Sequence, residues 1–223
     1  MVTTHFPLAT PILIAESTVH AKKMQEEHPG VLVKVAKFYP CGGPAWPLCP
    51  GTGTHHGSGY RNMCRLWYAD MWSLFDEFDM VVRIDSDISI KKSGVVAART
   101  IASPHLQGSD SKSVTQGMHH LFGARTPATQ NPYTNVLVVN MSWIRTDATL
   151  HMWFKMVKAT NCICHNRWGD LPLWGETMRA MKLRPEVLSG WEYAHGSHHT
   201  VVKSNCETIK YTNAALMVSF ILF

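Results

Sequence analysis

Residues 80–90 read Met-Val-Val-Arg-Ile-Asp-Ser-Asp-Ile-Ser-Ile. An apolar, β-branched run turns abruptly acidic at Asp85-Ser86-Asp87. The run reads as a strand buried on both faces of a parallel sheet. Two carboxylates at i and i+2 on the end of such a strand are costly unless a cation sits between or beside them. Carboxylate oxygens suit hard divalent cations, Mn²⁺ and Mg²⁺ among them, and those cations bridge to diphosphates. Ligands of open α/β sheets bind beyond the carboxyl ends of the strands. The stretch therefore points to an Asp-X-Asp metal–diphosphate site on Asp85 and Asp87. The bland counterpart is a solvated turn in which Asp87 caps something local, and Asp-X-Asp alone does not separate the two.

The rest of the chain supplies a sheet for this strand. Pro11 to Ala15 reads as a first buried strand, and Glu16 to His28 as a helix stopped by Pro29-Gly30. Val31 to Ala36 is a second strand, so the three form a βαβ unit with a parallel pair. Pro40 to Gly59 is rich in Gly and Pro and reads as a long loop. Cys41, Cys49, His55 and His56 within it match no tight zinc pattern. Tyr60 to Phe78 predicts one helix, with Met63, Trp67, Met71, Leu74, Phe75 and Phe78 on a core-facing stripe. Arg61 and Arg65 share a face of it. Their forks suit a diphosphate, and equally suit Asp70 or Asp79.

Ser93 to Thr129 reads as loops and short elements, and His119-His120 there lacks a metal-ligand pattern. Val136 to Val139 is a further buried strand. Asp147 to Val157 is an amphipathic helix with Leu150, Trp153, Phe154 and Val157 inward. Cys162-Ile163-Cys164-His165 reads as a reduced cysteine pair near a strand rather than a metal cluster. Asp170 stands at the N-cap of a helix running to Met181, with Pro172 in its first turn, so capping alone accounts for it. Trp191 to His199 is a polar, His-rich loop. Ala214 to Phe223 is apolar and reads as a final strand or helix, or as a seam beyond which further domains follow. No repeat or linker divides the chain, so residues 1–223 read as one α/β domain: a mixed, mainly parallel sheet flanked by helices.

Composition narrows the function. With 45% hydrophobic and 17% charged residues the chain is globular rather than disordered. A net charge of +5 and a pI near 8.9 suit an anionic ligand such as a nucleotide diphosphate. The charge is too mild and too scattered for nucleic acid. No stretch has the length of a transmembrane helix and no signal peptide is evident. The six cysteines permit disulfides, which a chain of this size does not require.

Three separated pieces, taken together, resemble the fungal Golgi α-1,2-mannosyltransferase family. They are Tyr60-Arg61-Asn62-Met63-Cys64-Arg65, the acidic strand end at Asp85–Asp87, and Arg167-Trp168-Gly169-Asp170 with Pro172. Thr134-Asn135 before a strand and Tyr193-Ala194-His195 also fit, so the likeness runs from Tyr60 to His199. The compact length and the lack of an evident anchor look more like a second group, the rhamnosyltransferase-type domains with which chlorella viruses glycosylate a capsid protein. Both resemblances imply a GT-A (Rossmann-like) fold, a nucleotide-sugar donor, Mn²⁺ or Mg²⁺, and a glycan or glycoprotein acceptor. Carried over, Asp87 and His195 would bind the metal, with His198 as an alternative. Asp85 would contact the ribose or donor sugar, or the metal through water. Arg61, Arg65 and Asn135 would line the donor site.

One position departs from the pattern. The mannosyltransferases carry a glutamate, proposed as nucleophile, two positions after the Asn of their Asn-X-Glu segment; here Leu137 stands there. The resemblance then implies either a retaining reaction supported differently or an inverting one. Inversion needs a general base for the acceptor hydroxyl. Asp170 is the first choice, with Glu192 and Glu176 behind it. The same departure weakens GDP-mannose as donor and favours, as the rival of another class, a non-catalytic nucleotide- or sugar-binding module; the viral resemblance implies a UDP-sugar instead, UDP-rhamnose or UDP-glucose. The viral resemblance implies a cytoplasmic location in the host, the fungal one the Golgi lumen.

Overall fold

The computed structural model describes residues 9–15, 17–36, 58–85, 88–93, 96–107, 114, 117, 130–166, 168–195 and 218–222. Seven strands form the main sheet, in the order β2 (Leu32–Val35), β1 (Ala9–Ala15), β11 (Val218–Leu222), β3 (Met80–Ile84), β8 (Val136–Asn140), β5 (Ile101–Ser103) and β9 (Glu186–Val187). Five of the seven point the same way, while β11 and β8 are reversed. The expected mixed α/β sheet with mainly parallel strands is thus found in strand direction. Each reversed strand stands between two of the majority, so only β1–β2 and β5–β9 are parallel neighbours. The apolar run of β3 therefore reports two covered faces and not parallel neighbours, because both of its partners, β11 and β8, are antiparallel. The βαβ unit is present, with α1 (Thr18–Glu27) joining the parallel pair. The apolar C-terminal segment supplies the strand between β1 and β3.

Alternation along the strands sorts the core into two layers. Val81, Leu137, Val139, Ile101 and Ile12 pack on one side with Trp67, Phe75, Phe154, Leu173 and Trp174. Val82, Ile84, Val138 and Ala102 pack on the other with Ala98 and Leu188, flanked by Ile88 and Ile90. The second layer is closed by a ribbon of β4 (Ile88–Lys92) and β10 (Glu192–His195). A short pair, β6 (Leu106–Gln107) with β7 (Asn131–Pro132), completes the described strands.

The helix expected from Tyr60 to Phe78 is three pieces: α2 (Ser58–Arg65), a π-helical turn (Leu66–Asp70) and a 3₁₀ turn (Trp72–Phe75). Met71 N–H reaches back to Leu66 O at 3.2 Å. The Tyr68 carbonyl is taken by the Trp72 indole at 3.0 Å, and this pulls the ladder out of α register. The apolar stripe survives the break: Trp67, Met71, Phe75 and Phe78 are buried, with Met63 and Leu74 packed at its margin.

Downstream, α3 (Met141–Thr146) leads into α4 (Ala148–Thr160). Asp147 caps α4 by accepting from Leu150 N–H at 3.0 Å, and Leu150, Trp153, Phe154 and Val157 all face inward as expected. The helix stops at Asn161, which adopts φ 57°. A four-residue helix follows, α5 (Cys162–His165), then α6 (Asp170–Ala180). The expectation of a reduced cysteine pair near a strand is overturned here. Cys162 and Cys164 are helical and both are disulfide-bonded, and Cys64 is the free cysteine among the described residues.

Candidate functional site

The N-terminus of α6 gathers the motif pieces. Gly169, not Asp170, is its N-cap, so the expected capping role of Asp170 is not found; Asp170 is the first helical residue. Its backbone N–H and the Tyr60 hydroxyl both hydrogen bond to the Cys64 sulfur. Burial, reinforced by the Asp170 charge, pushes the Cys64 thiol up to about 12. The Asp170 carboxylate is 5% exposed and accepts from Arg83 Nη1. Trp168, just before the helix, is buried at 1% exposure.

Arg83 is the centre of this arrangement. It lies in the middle of the apolar β3 and is 2% exposed. Its Nε and Nη2 reach Asp85 Oδ1 at 3.0 and 2.9 Å, and its guanidinium lies 4.4 Å from the centroid of the Trp67 ring. Burial alone would lower the guanidinium's pKa, yet the carboxylates of Asp170 and Asp85 raise it above its ordinary value. Asp85 N–H donates to the carbonyl of Asn135 at 2.9 Å, which ties the acidic strand end to the segment before β8. Asp85 and Asp170, far apart in sequence, thus meet on one guanidinium, with Tyr60 and Cys64 linked to Asp170 and the Asn135 carbonyl to Asp85.

Beyond Asp85 the chain enters β4, and the ribbon register sets His195 opposite Ile88, the residue after Asp87 in sequence. Asp87 and His198 lie outside the described residues, as do Arg167 and the loop histidines and cysteines at 41, 49, 55 and 56. Among the described residues no group of three metal-ligating side chains converges. The donor set proposed for the metal, carboxylate with imidazole, is the chemistry Mn²⁺ accepts.

The remaining expected residues have other partners. Arg61 Nη1 donates to the Cys164 carbonyl at 2.5 Å, and Arg65 pairs with Asp70 at 2.8 Å, one of the two acids named for it. Lys158 meets the same carboxylate at 2.8 Å. Glu176 is buried and bound by Arg179 at 2.6 Å. Glu192 is exposed at the start of β10. Leu137 is 1% exposed in the sheet.

Two features escape a reading by motif. Arg83 is one; its signal was present, since a cation inside an apolar strand requires buried anions beside it. The other is the aromatic group that His105 and Tyr133 form with Tyr193 of the Tyr193-Ala194-His195 piece. His105 stacks on Tyr133 at 4.2 Å between centroids, and the Tyr193 hydroxyl meets His105 Nδ1 at 2.7 Å. Burial lowers the His105 pKa. Burial, with Tyr133 adding to it, raises that of Tyr193.

The architecture is of the GT-A type, a mixed sheet with helices packed on one of its core layers and, on the other, a ribbon into which the acidic strand end opens. The chain is similar to core-mannan synthase A (CmsA/Ktr4) from Aspergillus fumigatus in its Mn/GDP form, with TM-score 0.56 and 13% identity over 92% of this chain and 71% of that one. It is similar to the mannosyltransferase Ktr4p from S. cerevisiae, with TM-score 0.50 and 13% identity over 85% of this chain and 61% of that one. The same yeast enzyme in complex with GDP gives TM-score 0.46 and 14% identity, covering 64% of this chain and 46% of that one. No protein-family model matches the chain, and no curated protein matches it in sequence. No helix among the described residues is long and apolar enough to cross a membrane.

Proposed function

We propose that this chain is a metal-dependent glycosyltransferase, moving a sugar from a nucleotide-diphosphate donor to a hydroxyl of a glycan or glycoprotein. One observation carries the reading. Pieces from Tyr60 to His195 that resemble a single family come together at the end of β3, around Arg83 and along the β4–β10 ribbon. In this reading Asp87 and His195, with His198 as alternative, hold Mn²⁺ or Mg²⁺, and the metal supplies charge stabilisation for the departing diphosphate. Asp85 and the Asn135 segment bound the donor pocket. Asp170 belongs to the electrostatics of the site, since its carboxylate is committed to Arg83. Glu192, exposed at the start of the strand that carries His195, is the carboxylate to which this reading assigns the acceptor's proton in an inverting reaction.

The base of the donor is the finer point. A guanosine diphosphate donor such as GDP-mannose is supported by the likeness to a fold solved with Mn and GDP. A uridine diphosphate donor rests on the resemblance to the viral domains, while Leu137, standing where the mannosyltransferase pattern has its glutamate, weighs against GDP-mannose. Calorimetric titration of GDP and UDP, each with and without Mn²⁺, separates the two. Mn²⁺-dependent binding of one nucleotide, followed by hydrolysis of the matching nucleotide sugar, establishes the activity. Binding without hydrolysis indicates a non-catalytic module, and binding of neither defeats the reading.

The disulfides at Cys162 and Cys164 bear on location. Disulfides persist in oxidising compartments and are rare in the cytosol. They favour a secretory lumen such as the Golgi over the cytoplasm as the place of action. Mass spectrometry of the protein alkylated without reduction tests this: label on Cys162 and Cys164 in protein isolated from its own cells would return the chain to the cytoplasm.

A further inference from the structure

We propose that Arg83 is the positioning residue of this site: its fork takes the fixed location of Asp170 and imposes it on Asp85, setting the direction in which the acidic strand end meets the donor. The inference rests on the nucleotide-sugar reading above. Asp170 is anchored independently of Arg83. It sits in the first turn of α6, where the helix favours a carboxylate, and its backbone N–H is held by Cys64 on α2. Asp85 stands one residue past the end of β3; its backbone is still held, by the Asn135 carbonyl at 2.9 Å, and it is the direction of its carboxylate that Arg83 sets. Arg83 spans the two. One edge of the guanidinium, Nε and Nη2, grips Asp85 Oδ1 at 3.0 and 2.9 Å, while Nη1 grips Asp170 Oδ2. The Trp67 ring supports the planar face at 4.4 Å.

The planar fork presents donors in fixed directions along two edges, so it sets the orientation of both carboxylates; an ammonium can bond two acceptors, yet its rotatable donors on a flexible stem impose no such geometry. Among the described residues the cluster carries one cation against two anions, a net negative charge beside the strand end where the metal is proposed. A role confined to charge balance and a role in positioning then make different demands. Charge balance is restored by removing one carboxylate along with the arginine. Positioning is not, because Asp85 loses its grip either way.

The experiment compares the full chain with R83K, R83Q and R83Q/D170N, recording the thermal midpoint and the calorimetric Kd for GDP and UDP in MnCl₂. R83Q leaves two carboxylates without their cation and lowers the midpoint. R83Q/D170N recovers much of it, yet binds the preferred nucleotide roughly 10- to 100-fold more weakly, the range for losing a group that orients a metal-site ligand. R83K keeps the charge and loses affinity in the same way, and stands in should either glutamine variant fail to fold. Wild-type affinity in R83Q/D170N or in R83K overturns the proposal while leaving the function intact. Failure of the wild-type chain to bind either nucleotide with Mn²⁺ overturns the function, and the inference with it.

Discussion

Arg83 and Leu137 stand directly opposite one another in the antiparallel β3–β8 pair. Cross-strand partners of this kind share a face, with Cβ atoms about 5 Å apart. The position where the resembled mannosyltransferases carry a glutamate therefore lies beside the guanidinium that already serves Asp85 and Asp170. Leu137 gives that guanidinium an apolar neighbour and leaves its fork undivided.

Leu137→Glu tests whether a lost nucleophile can be put back. The new carboxylate enters a buried cluster in which one cation already serves two anions, and it replaces a core leucine. The expected outcome is destabilisation of about 3 kcal/mol or more, with no gain in transfer. Chemical denaturation and a donor-hydrolysis assay check it. A stable variant with raised turnover would mean that the site still has room for a retaining mechanism.

Helix α6 is held close to the β6–β7 pair by a missing side chain. A Cβ on Gly175 would stand 1.4 Å from Asn131 Oδ1 and 2.4 Å from its Cγ. Asn131 is fully buried and donates through Nδ2 to the Gln107 carbonyl at 3.0 Å, so it has no easy retreat. Gly175→Ala should cost about 1–3 kcal/mol despite the better helix propensity of alanine. A thermal midpoint equal to wild type would show that Asn131 moves freely.

Much of this was legible in the chain. Strands β1, β3 and β8 announced themselves as apolar runs, and Leu150, Trp153, Phe154 and Val157 declared their helix face by spacing. The convergence of Tyr60–Arg65, Asp85 and Asp170 could be expected only through a resemblance, because pattern gives no long-range contacts. The directions of β8 and β11 were not legible, since an apolar run records covered faces and is silent on neighbour direction. The break of the Tyr60–Phe78 helix was hidden because Trp72 takes the Tyr68 carbonyl with its indole, a tertiary choice that leaves the apolar period intact. Asp170 looked like a cap because Asp before Leu-Pro usually is one. Its buried partner comes from β3, and only the fold reveals it.

The helix that carries Arg61 rests on the disulfide-bonded segment. Arg61 Nη1 donates to the carbonyl of Cys164 at 2.5 Å, and Cys162 and Cys164 are both buried. Reduction under native conditions should lower the thermal midpoint, with a cost of about 2–5 kcal/mol per disulfide. If nucleotide binding weakens in parallel, α5 is a support of the donor site. A midpoint indifferent to reductant would show that packing alone holds α5 in place.

Cys64 sets an alkaline limit on stability. Its thiol is raised from an ordinary 9.0 to about 12 by burial and by the Asp170 charge, so the folded state holds a proton that the unfolded state releases above pH 9. The unfolded chain then binds fewer protons than the folded one, and unfolding free energy must fall as pH rises. The contribution is fully present below pH 9 and is lost progressively toward 12. Tyr68, also raised by burial, acts in the same direction from its ordinary 10.0 upward. Cys64→Ser retains a hydrogen-bond acceptor for the Asp170 N–H and does not titrate in this range. Its denaturant midpoint should therefore fall less steeply than that of the wild type between pH 8.5 and 10, a window that begins below the ordinary thiol value of 9.0 and ends at the ordinary tyrosine value of 10.0. Parallel curves for the two proteins would place the thiol in contact with water, and with it the Tyr60–Cys64–Asp170 anchor on which the position of the α6 N-terminus depends.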